Sequence, residues 1–126
     1  LSLASTLVNN LSPLAAMTGL TFLDIAETQV SDLSPLAAIS GLEILSLAST
    51  PVNDLSPLAE MTGLRFLNIG ETQVSDVSPL AEMTALTFLY IAETRVSDLS
   101  PLAAITGLQI EGFQESSEDV SQGGKP

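Results

Sequence analysis

The chain has 126 residues and a formal net charge of −12, because it contains 15 acidic residues and only three basic ones. Phosphate backbones and anionic lipid surfaces attract basic proteins, so this charge argues against nucleic acids and membrane surfaces as partners. Apolar residues make up 45% of the chain, but they fall in short groups that cannot span a bilayer, which takes about 18 in a row. The absence of Cys and His excludes disulfides and removes the commonest metal ligand and general base.

A repeat of fixed length accounts for almost the whole chain. Four consecutive segments of 22 residues run from Leu20 without insertion or deletion, and the fourth is identical to the first at 19 of 22 positions. A period of this size indicates a solenoid of stacked coils. The array predicted for residues 1–113 consists, in chain order, of a truncated first coil at 1–19, full coils at 20–41, 42–63, 64–85 and 86–107, and an incomplete sixth coil at 108–113.

Positions are numbered within each 22-residue repeat, so that Leu42 is the first position of its coil. The third to seventh positions predict a β-strand. In coil three these positions read Ile44-Leu45-Ser46-Leu47-Ala48, which alternates with a period of two. The alternation directs Leu45 and Leu47 toward the core and the other side chains away from it. Since every copy runs in the same direction, the strands are expected to form one parallel sheet.

The Ser-Pro-Leu-Ala segment that follows predicts a short helical or 3₁₀ turn on the opposite side of each coil. Ser is expected to be the N-cap and Pro the first helical residue. At the end of the turn, left-handed backbone is expected at Gly41, Gly63 and Gly107. The predicted class is therefore an α/β repeat solenoid with a parallel sheet on one side and short turns on the other.

The repeat also predicts which columns of side chains are buried. The first, fourth, sixth, eleventh, fourteenth, seventeenth, eighteenth and twentieth positions are mostly apolar in every coil, and we expect them to form the core. The ninth position carries Thr throughout, and its hydroxyl is expected to bond the backbone of the adjacent coil. These threonines are Thr6, Thr28, Thr50, Thr72 and Thr94.

The first coil has no cap in this sequence, and this predicts exposed core residues. Without a covering segment, a terminal coil presents apolar side chains and a bare strand edge. We therefore expect residues 1–19 to fray, or the chain to self-associate through its uncapped ends. The residues expected to face water are Leu3, Val8, Leu11 and Leu14.

The last residues depart from the repeat. A strict period places Glu111 where a core Leu is expected, assigns Ile110 to the outward-facing third position, and leaves Phe113 as the last core residue. Residues 114–126 are polar, acidic and Gly-rich, and we predict that they form a disordered tail. Because Leu1 enters in the middle of a repeat, we also expect the chain to be part of a longer protein.

The motif L-x-x-L-x-L-x-x-T-x-V-x-D-L-S-P-L-A recurs in register through residues 1–108 and resembles the bacterial leucine-rich repeat of the internalin type. The chain departs from that pattern in having Thr at the ninth position, where the family often has Asn. The resemblance implies a horseshoe-like array that binds other proteins on its concave sheet face. It also implies an extracellular or cell-surface location.

The side chains that point away from the core along the strands are the candidate binding residues. The apolar third position is typical of a partner surface, although a neighbouring segment could instead cover it and extend the core. The fifth position varies between coils, as expected for either recognition or neutral drift. The candidates are Phe22, Ile44, Phe66 and Phe88 at the third position, Asp24, Ser46, Asn68 and Tyr90 at the fifth, and Glu27, Glu71 and Glu93 at the eighth.

The acidic columns and the chemistry they allow give little support to metal binding or catalysis. Stacked carboxylates at the eighth position resemble a Ca²⁺ site, but Ser49 interrupts the column, so a solvated rim is the preferred interpretation. The Asp residues at the thirteenth position are expected to be structural, since Asn10 replaces Asp in the first coil. No nucleophile has a recognisable base beside it. We therefore expect no cofactor, no metal and no enzymatic activity.

Two functions are compatible with this sequence. The first is a protein- or peptide-binding module that uses the sheet face, and its acidic character favours a basic partner. The alternative is a passive spacer or scaffold within a larger surface protein or enzyme. Near-identical coils favour the spacer, because a specific binding site usually needs more variation from coil to coil.

Overall fold

A computed structural model describes residues 1–113. Five short parallel strands form one sheet, in which each strand lies beside the next one in the sequence. The strands are β1 (Phe22–Asp24), β2 (Ile44–Ser46), β3 (Phe66–Asn68), β4 (Phe88–Tyr90) and β5 (Gln109–Glu111). They alternate along the chain with 3₁₀ helices at Ser12–Ala16, Ser34–Ala38, Ser56–Leu58, Ser78–Leu80 and Ser100–Leu102.

The strands pair in a register that repeats from coil to coil. Leu45 of β2 lies opposite Leu23 of β1 on one side and opposite Leu67 of β3 on the other. Neighbouring residues within a strand point to opposite faces of the sheet, so equivalent side chains form straight columns across the coils. The predicted solenoid with one parallel sheet and short 3₁₀ turns is confirmed.

The core lies between the sheet and the 3₁₀ helices and runs through the whole stack. A large apolar side chain contributes about 1.5–3 kcal/mol when it is fully buried, so contacts between coils supply most of the stability. The prediction that the eighteenth position is buried is wrong, because Ala37 and Ala103 are exposed and the other alanines of this column are half-buried. The fully buried leucines of the fourth position are Leu23, Leu45, Leu67 and Leu89.

The threonine column bonds within its own coil. Thr28 Oγ1 donates to the backbone carbonyl of Ile25 at 2.8 Å and accepts the N–H of Val30 at 3.4 Å. Thr72 and Thr94 make the same two bonds. The expected bond to the adjacent coil is wrong, because the short side chain reaches only the turn that it belongs to. Each of these three threonines therefore pairs two backbone groups of its own turn, and Thr50 makes the bond to the Leu47 carbonyl.

The thirteenth-position carboxylates organise the start of each 3₁₀ helix. Asp32 Oδ1 accepts the backbone N–H of Ser34 at 2.9 Å, and Asn10 makes the equivalent bond to Ser12 at 3.0 Å. Asn performs the same task without charge, which confirms that this column is structural. The other residues that make this bond are Asp54, Asp76 and Asp98.

This capping bond differs in detail from the sequence prediction. The 3₁₀ helix begins at Ser34 rather than at Pro35, and the preceding Leu33 is the cap residue. The backbone N–H of Ser34, and then its hydroxyl, lower the pKa of the Asp32 carboxyl below its ordinary value. A lowered pKa means that this bond stabilises the fold above the unfolded-state pKa and that its contribution is lost as the pH falls.

Glycine is less important to the turns than the sequence suggests. Gly107 has the expected positive φ of 76°, but Gly41 and Gly63 do not have a positive φ, so that part of the prediction is wrong. Ala85 occupies the same position in coil four, which is consistent with ordinary backbone there. The non-glycine residues with a positive φ lie at the eighth position of coils one to five, which borders the sheet.

The first coil packs on the second more completely than predicted. Leu11 and Leu14 are buried, and Leu3 and Val8 are half-buried. The expectation that all four face water is wrong, because the coil beneath covers the core side of each side chain. Leu7, at the tenth position, is the residue that stands out in solvent, with 83% of its surface exposed.

The sixth coil continues the sheet by dropping one residue from the repeat. Gln109 pairs with Phe88, and Ile110 pairs with Leu89, one position earlier than a strict period requires. Ile110 therefore occupies the core column and not the outward-facing third position, which corrects both that assignment and the prediction that Glu111 replaces the core Leu. Phe113 packs against the core, as expected.

Two further observations concern the ends of the chain and membranes. The predicted disorder of residues 114–126 lies outside the part of the chain that the structure describes. Within residues 1–113, the 3₁₀ helices have three to five residues each, and no helix has the length and apolar character needed to cross a bilayer.

Candidate protein-binding surface

The outward side of the sheet brings the predicted binding residues of β1–β4 together on one surface. The parallel register stacks the third-position residues in one column and the fifth-position residues in another, with adjacent strands about 4.8 Å apart. We call this surface the sheet face. It consists of Phe22, Asp24, Ile44, Ser46, Phe66, Asn68, Phe88 and Tyr90.

The third-position column is partly open to solvent. Phe22 is 43% exposed and Ile44 is 39% exposed, whereas Phe66 and Phe88 are half-buried. The rings of Phe66 and Phe88 stack on each other with centroids 5.0 Å apart and planes inclined by 5°. The alternation of side chains along each strand correctly predicts that this column points outward. Phe66 and Phe88 are less exposed than Phe22 and Ile44, because their stacked rings cover each other.

The fifth-position column combines a repeated backbone contact with variable chemistry. Asp24 Oδ1 accepts the N–H of Ala26 at 3.0 Å, and Asn68 Oδ1 accepts the N–H of Gly70 at 2.9 Å. One oxygen of each side chain is therefore held by the strand end, and the second polar atom remains for another group. Ser46 is half-buried at the same position of β2.

Tyr90 occupies a notch that sequence reasoning missed. Its ring lies over Gly70, where an added Cβ would stand only 2.8 Å from Tyr90 Cε2 and 2.9 Å from Cδ2. The seventh position holds Gly in coil four, although it is Ala in coils one, two, three and five, and this exception is the signal that could have revealed the contact. The missing methyl group allows the tyrosine ring to lie against the strand end while remaining 38% exposed.

The eighth position carries left-handed backbone without glycine. Glu27, Glu71 and Glu93 have φ of 59°, 56° and 62°, and Ser5 and Ser49 have similar values. A non-glycine residue in this region costs about 1–2 kcal/mol, so the array retains side chains here at an energetic cost. No sequence pattern predicts this left-handed conformation, since Ser and Glu show no special preference for it.

The same column contains pairs of serine and glutamate from consecutive coils. The hydroxyl of Ser5 donates to Glu27 Oε1, and the hydroxyl of Ser49 donates to Glu71 Oε1. Glu93 follows Glu71 in the column, so no serine stands at the equivalent place in the preceding coil. Coils four and five therefore carry glutamates in consecutive coils at this position, and Glu71 directly follows Gly70, against which the Tyr90 ring lies.

The arrangement of acidic groups determines which chemistry the surface can support. Within residues 1–113, no three acidic side chains are grouped so that they could hold a metal ion. The groups that the sheet face presents are aromatic rings, one aliphatic side chain, amide and hydroxyl groups, and neighbouring carboxylates. These are groups that bind another molecule through contact, hydrogen bonding and charge.

The comparisons with known proteins address the repeat as a whole. No protein-family model and no curated protein sequence matches the chain. The crystal structure of internalin C2 from Listeria monocytogenes superposes with a TM-score of 0.84 and 35% sequence identity over 86% of this chain. Internalin F from the same species superposes with a TM-score of 0.82 and 35% identity over 96% of it. The chain is an internalin-like leucine-rich-repeat protein.

This internalin-like array corresponds to part of each related structure. It covers 49% of the internalin C2 chain and 36% of the internalin F chain. A leucine-rich-repeat protein from Leptospira interrogans shares the fold, with a TM-score of 0.77 and 18% identity over 88% of this chain. All three structures therefore share the stacked-coil fold of this chain.

Proposed function

We propose that this internalin-like array is a protein- or peptide-binding module that uses the sheet face. The observation that carries the proposal is the column of outward-facing apolar residues beside a column of variable polar ones. Phe22, Ile44 and Tyr90 each expose between 38% and 43% of their surface. Aromatic residues surrounded by polar groups are the usual anchors of protein interfaces.

The charge of the array supports a basic partner. The chain has a net charge of −12, and Glu27, Glu71 and Glu93 are exposed at the border of the sheet face. An acidic surface accelerates the approach of a basic partner, and salt weakens this attraction because the Debye length is about 8 Å at physiological ionic strength. The proposed association is therefore faster and tighter at low salt.

Replacing Phe66 and Phe88 with Ala tests the proposal. A peptide selected from a random display library against the immobilised chain should bind the double variant about 30-fold more weakly, since losing an aromatic anchor costs about 2 kcal/mol or more. The free energy of unfolding should fall by only about 0.5–1.5 kcal/mol, the contribution of the stacked pair, because both rings lie outside the core. Titration calorimetry measures the affinity, and circular dichroism measures the unfolding.

Met17→Ala is the matched control for that experiment. Met17 is 42% exposed and follows the first 3₁₀ helix, away from the strands. The Met17→Ala substitution should leave the affinity for the selected peptide unchanged. A selected peptide that binds the double variant as tightly as the parent chain would contradict a sheet-face site.

A second function rests on the uniformity of the coils. Two coils are identical at 19 of 22 positions, as expected of a passive spacer in a larger surface protein or enzyme. If the array is a passive spacer, no library peptide should bind the parent chain more tightly than it binds the Phe66→Ala/Phe88→Ala variant. In either role we propose a non-enzymatic array that lies outside the cell or on its surface, as its resemblance to internalins suggests.

The first coil supports a further part of this proposal. Leu1 and Leu7 are 43% and 83% exposed there, and Ser2 makes a single bridge to the sheet. A strand edge of this kind can pair with another chain, so we expect these 126 residues to self-associate as the concentration rises. Light scattering that gives the monomer mass at every concentration would contradict this expectation.

A further inference from the structure

We propose that the part of the sheet face in coils four and five binds an arginine side chain of an extended peptide. This inference rests on the proposed function and specifies the chemistry of the partner. We call the region the aromatic patch. It consists of Phe66, Asn68, Glu71, Phe88, Tyr90 and Glu93.

The first argument is that a flat cation fits the exposed ring of Tyr90. Phe66 and Phe88 cover part of each other's ring faces by stacking. The Tyr90 ring lies against Gly70, the residue before Glu71, and 38% of Tyr90 is exposed. A guanidinium group is planar and can lie flat on an aromatic face, whereas an ammonium group is a compact, strongly hydrated point charge. The notch at Gly70 fixes the ring against the strand end, so little side-chain freedom is lost when a ligand binds.

The second argument is the pair of glutamates on consecutive coils, of which Glu71 directly follows Gly70. The N–H of Glu71 donates to the carbonyl of Ala92 at 2.8 Å, so the backbone of Glu71 lies beside that of Glu93 in the next coil. Ser49 holds one oxygen of Glu71, whereas Glu93 has Glu71 and not a serine before it. A guanidinium carries five N–H donors in a rigid fork and can bond both carboxylates at once.

The combination occurs at one place within residues 1–113. In coils one to three the eighth position reads Ser5, Glu27 and Ser49, so each carboxylate there has serine neighbours. The third position of coil three is the aliphatic Ile44. Arg65 directly precedes Phe66, and Arg95 lies two residues after Glu93; neither belongs to the patch, whose own charged residues are Glu71 and Glu93. Charge and aromatic surface thus coincide in coils four and five.

Tyr90 makes the proposal directly measurable. It is the single tyrosine of the chain, and the sequence contains no tryptophan. Its fluorescence therefore reports on the aromatic patch without any label. The probe is the blocked pentapeptide acetyl-Leu-Val-Arg-Val-Leu-amide, and its partner is the same peptide with citrulline, which has the shape of arginine and no charge.

The arginine probe should bind about tenfold more tightly than the citrulline probe, because arginine forms charge-assisted bonds to the two carboxylates and citrulline does not. In the Glu71→Gln/Glu93→Gln variant the two probes should bind within about twofold of each other, because the charge pairing is lost. The matched control is Glu60→Gln/Glu82→Gln, which makes the same change in net charge on exposed residues after the 3₁₀ helices. That control should preserve the preference for arginine.

The outcomes separate this inference from the proposed function. Equal binding of both probes, abolished by Phe66→Ala/Phe88→Ala, would overturn the arginine assignment and leave the sheet-face module standing. A preference for arginine that survives in Glu71→Gln/Glu93→Gln would also overturn it, as would failure of the arginine probe to bind. The library selection then decides independently whether the sheet face binds any peptide.

Discussion

Leu67→Ala should lower the free energy of unfolding by about 2–5 kcal/mol, the range observed when a buried leucine is truncated and leaves a cavity. Leu67 is completely buried in β3 and lies in register between Leu45 and Leu89. The substitution removes contacts with the coils on both sides, and a repeat array depends on those contacts. Urea unfolding followed by circular dichroism measures the loss.

The neighbouring residue provides the control for that measurement. Phe66→Ala removes a larger side chain one position away, but it points to the other face of the sheet and stacks on Phe88. The expected loss is about 0.5–1.5 kcal/mol, the usual contribution of an aromatic pair. If Phe66→Ala destabilised the chain as much as Leu67→Ala, the phenylalanine column would belong to the core, and the account of the sheet face would be wrong.

Thr72→Val should cost about 2–4 kcal/mol, because a buried backbone group left without a partner costs roughly 1–3 kcal/mol and this substitution orphans two. Thr72 is 4% exposed and donates to the Ile69 carbonyl at 2.7 Å. It also accepts the N–H of Val74 at 3.4 Å. Valine keeps the shape of the side chain, so thermal or urea unfolding reports the loss of the hydroxyl.

Position within the stack supplies two controls for the hydroxyl. Thr6 makes the same bond to the Leu3 carbonyl in the exposed first coil, where water can replace the hydroxyl, so Thr6→Val should have a small effect. Thr72→Ser keeps both bonds and should retain most of the stability. Equal destabilisation by Thr6→Val and Thr72→Val would show that burial does not determine the cost.

The periodicity of the sequence predicts the architecture of this chain well. Alternation around Leu45 and Leu67 identifies the core face of the strands, and the shared direction of the copies requires a parallel sheet. The thirteenth-position Asp residues were also recognised as structural, because Asn10 shows that charge is not needed. These features repeat in every coil, so each copy supports the interpretation of the others.

Features that occur once, or that depend on backbone geometry, were not predictable in this way. The single-residue deletion that moves Ile110 into the core column is invisible to a strict period, and only strand pairing reveals it. The left-handed backbone of the eighth position has no sequence signature, because neither Ser nor Glu favours it. The notch beneath Tyr90 needs Gly70, but one glycine in place of alanine has several possible meanings until the ring is placed.

The candidate site shows the same division between pattern and detail. Alternation placed Phe66 and Phe88 on one face, but stacking of their rings depends on the distance between strands. It placed Glu71 and Glu93 in one column, but the bond from the Ser49 hydroxyl to Glu71 is visible only in the structure. Sequence therefore located the surface, and the structure distinguishes coils four and five from the rest of it.

The central claim is that the sheet face, and not the 3₁₀ side, binds the partner. The most direct measurement is the change in backbone amide NMR shifts when a library-selected peptide is added to the ¹⁵N-labelled chain. The account predicts that the perturbed amides cluster in the strands Phe22–Asp24, Ile44–Ser46, Phe66–Asn68 and Phe88–Tyr90. Perturbations concentrated in the 3₁₀ helices, with the strands unaffected, would contradict it.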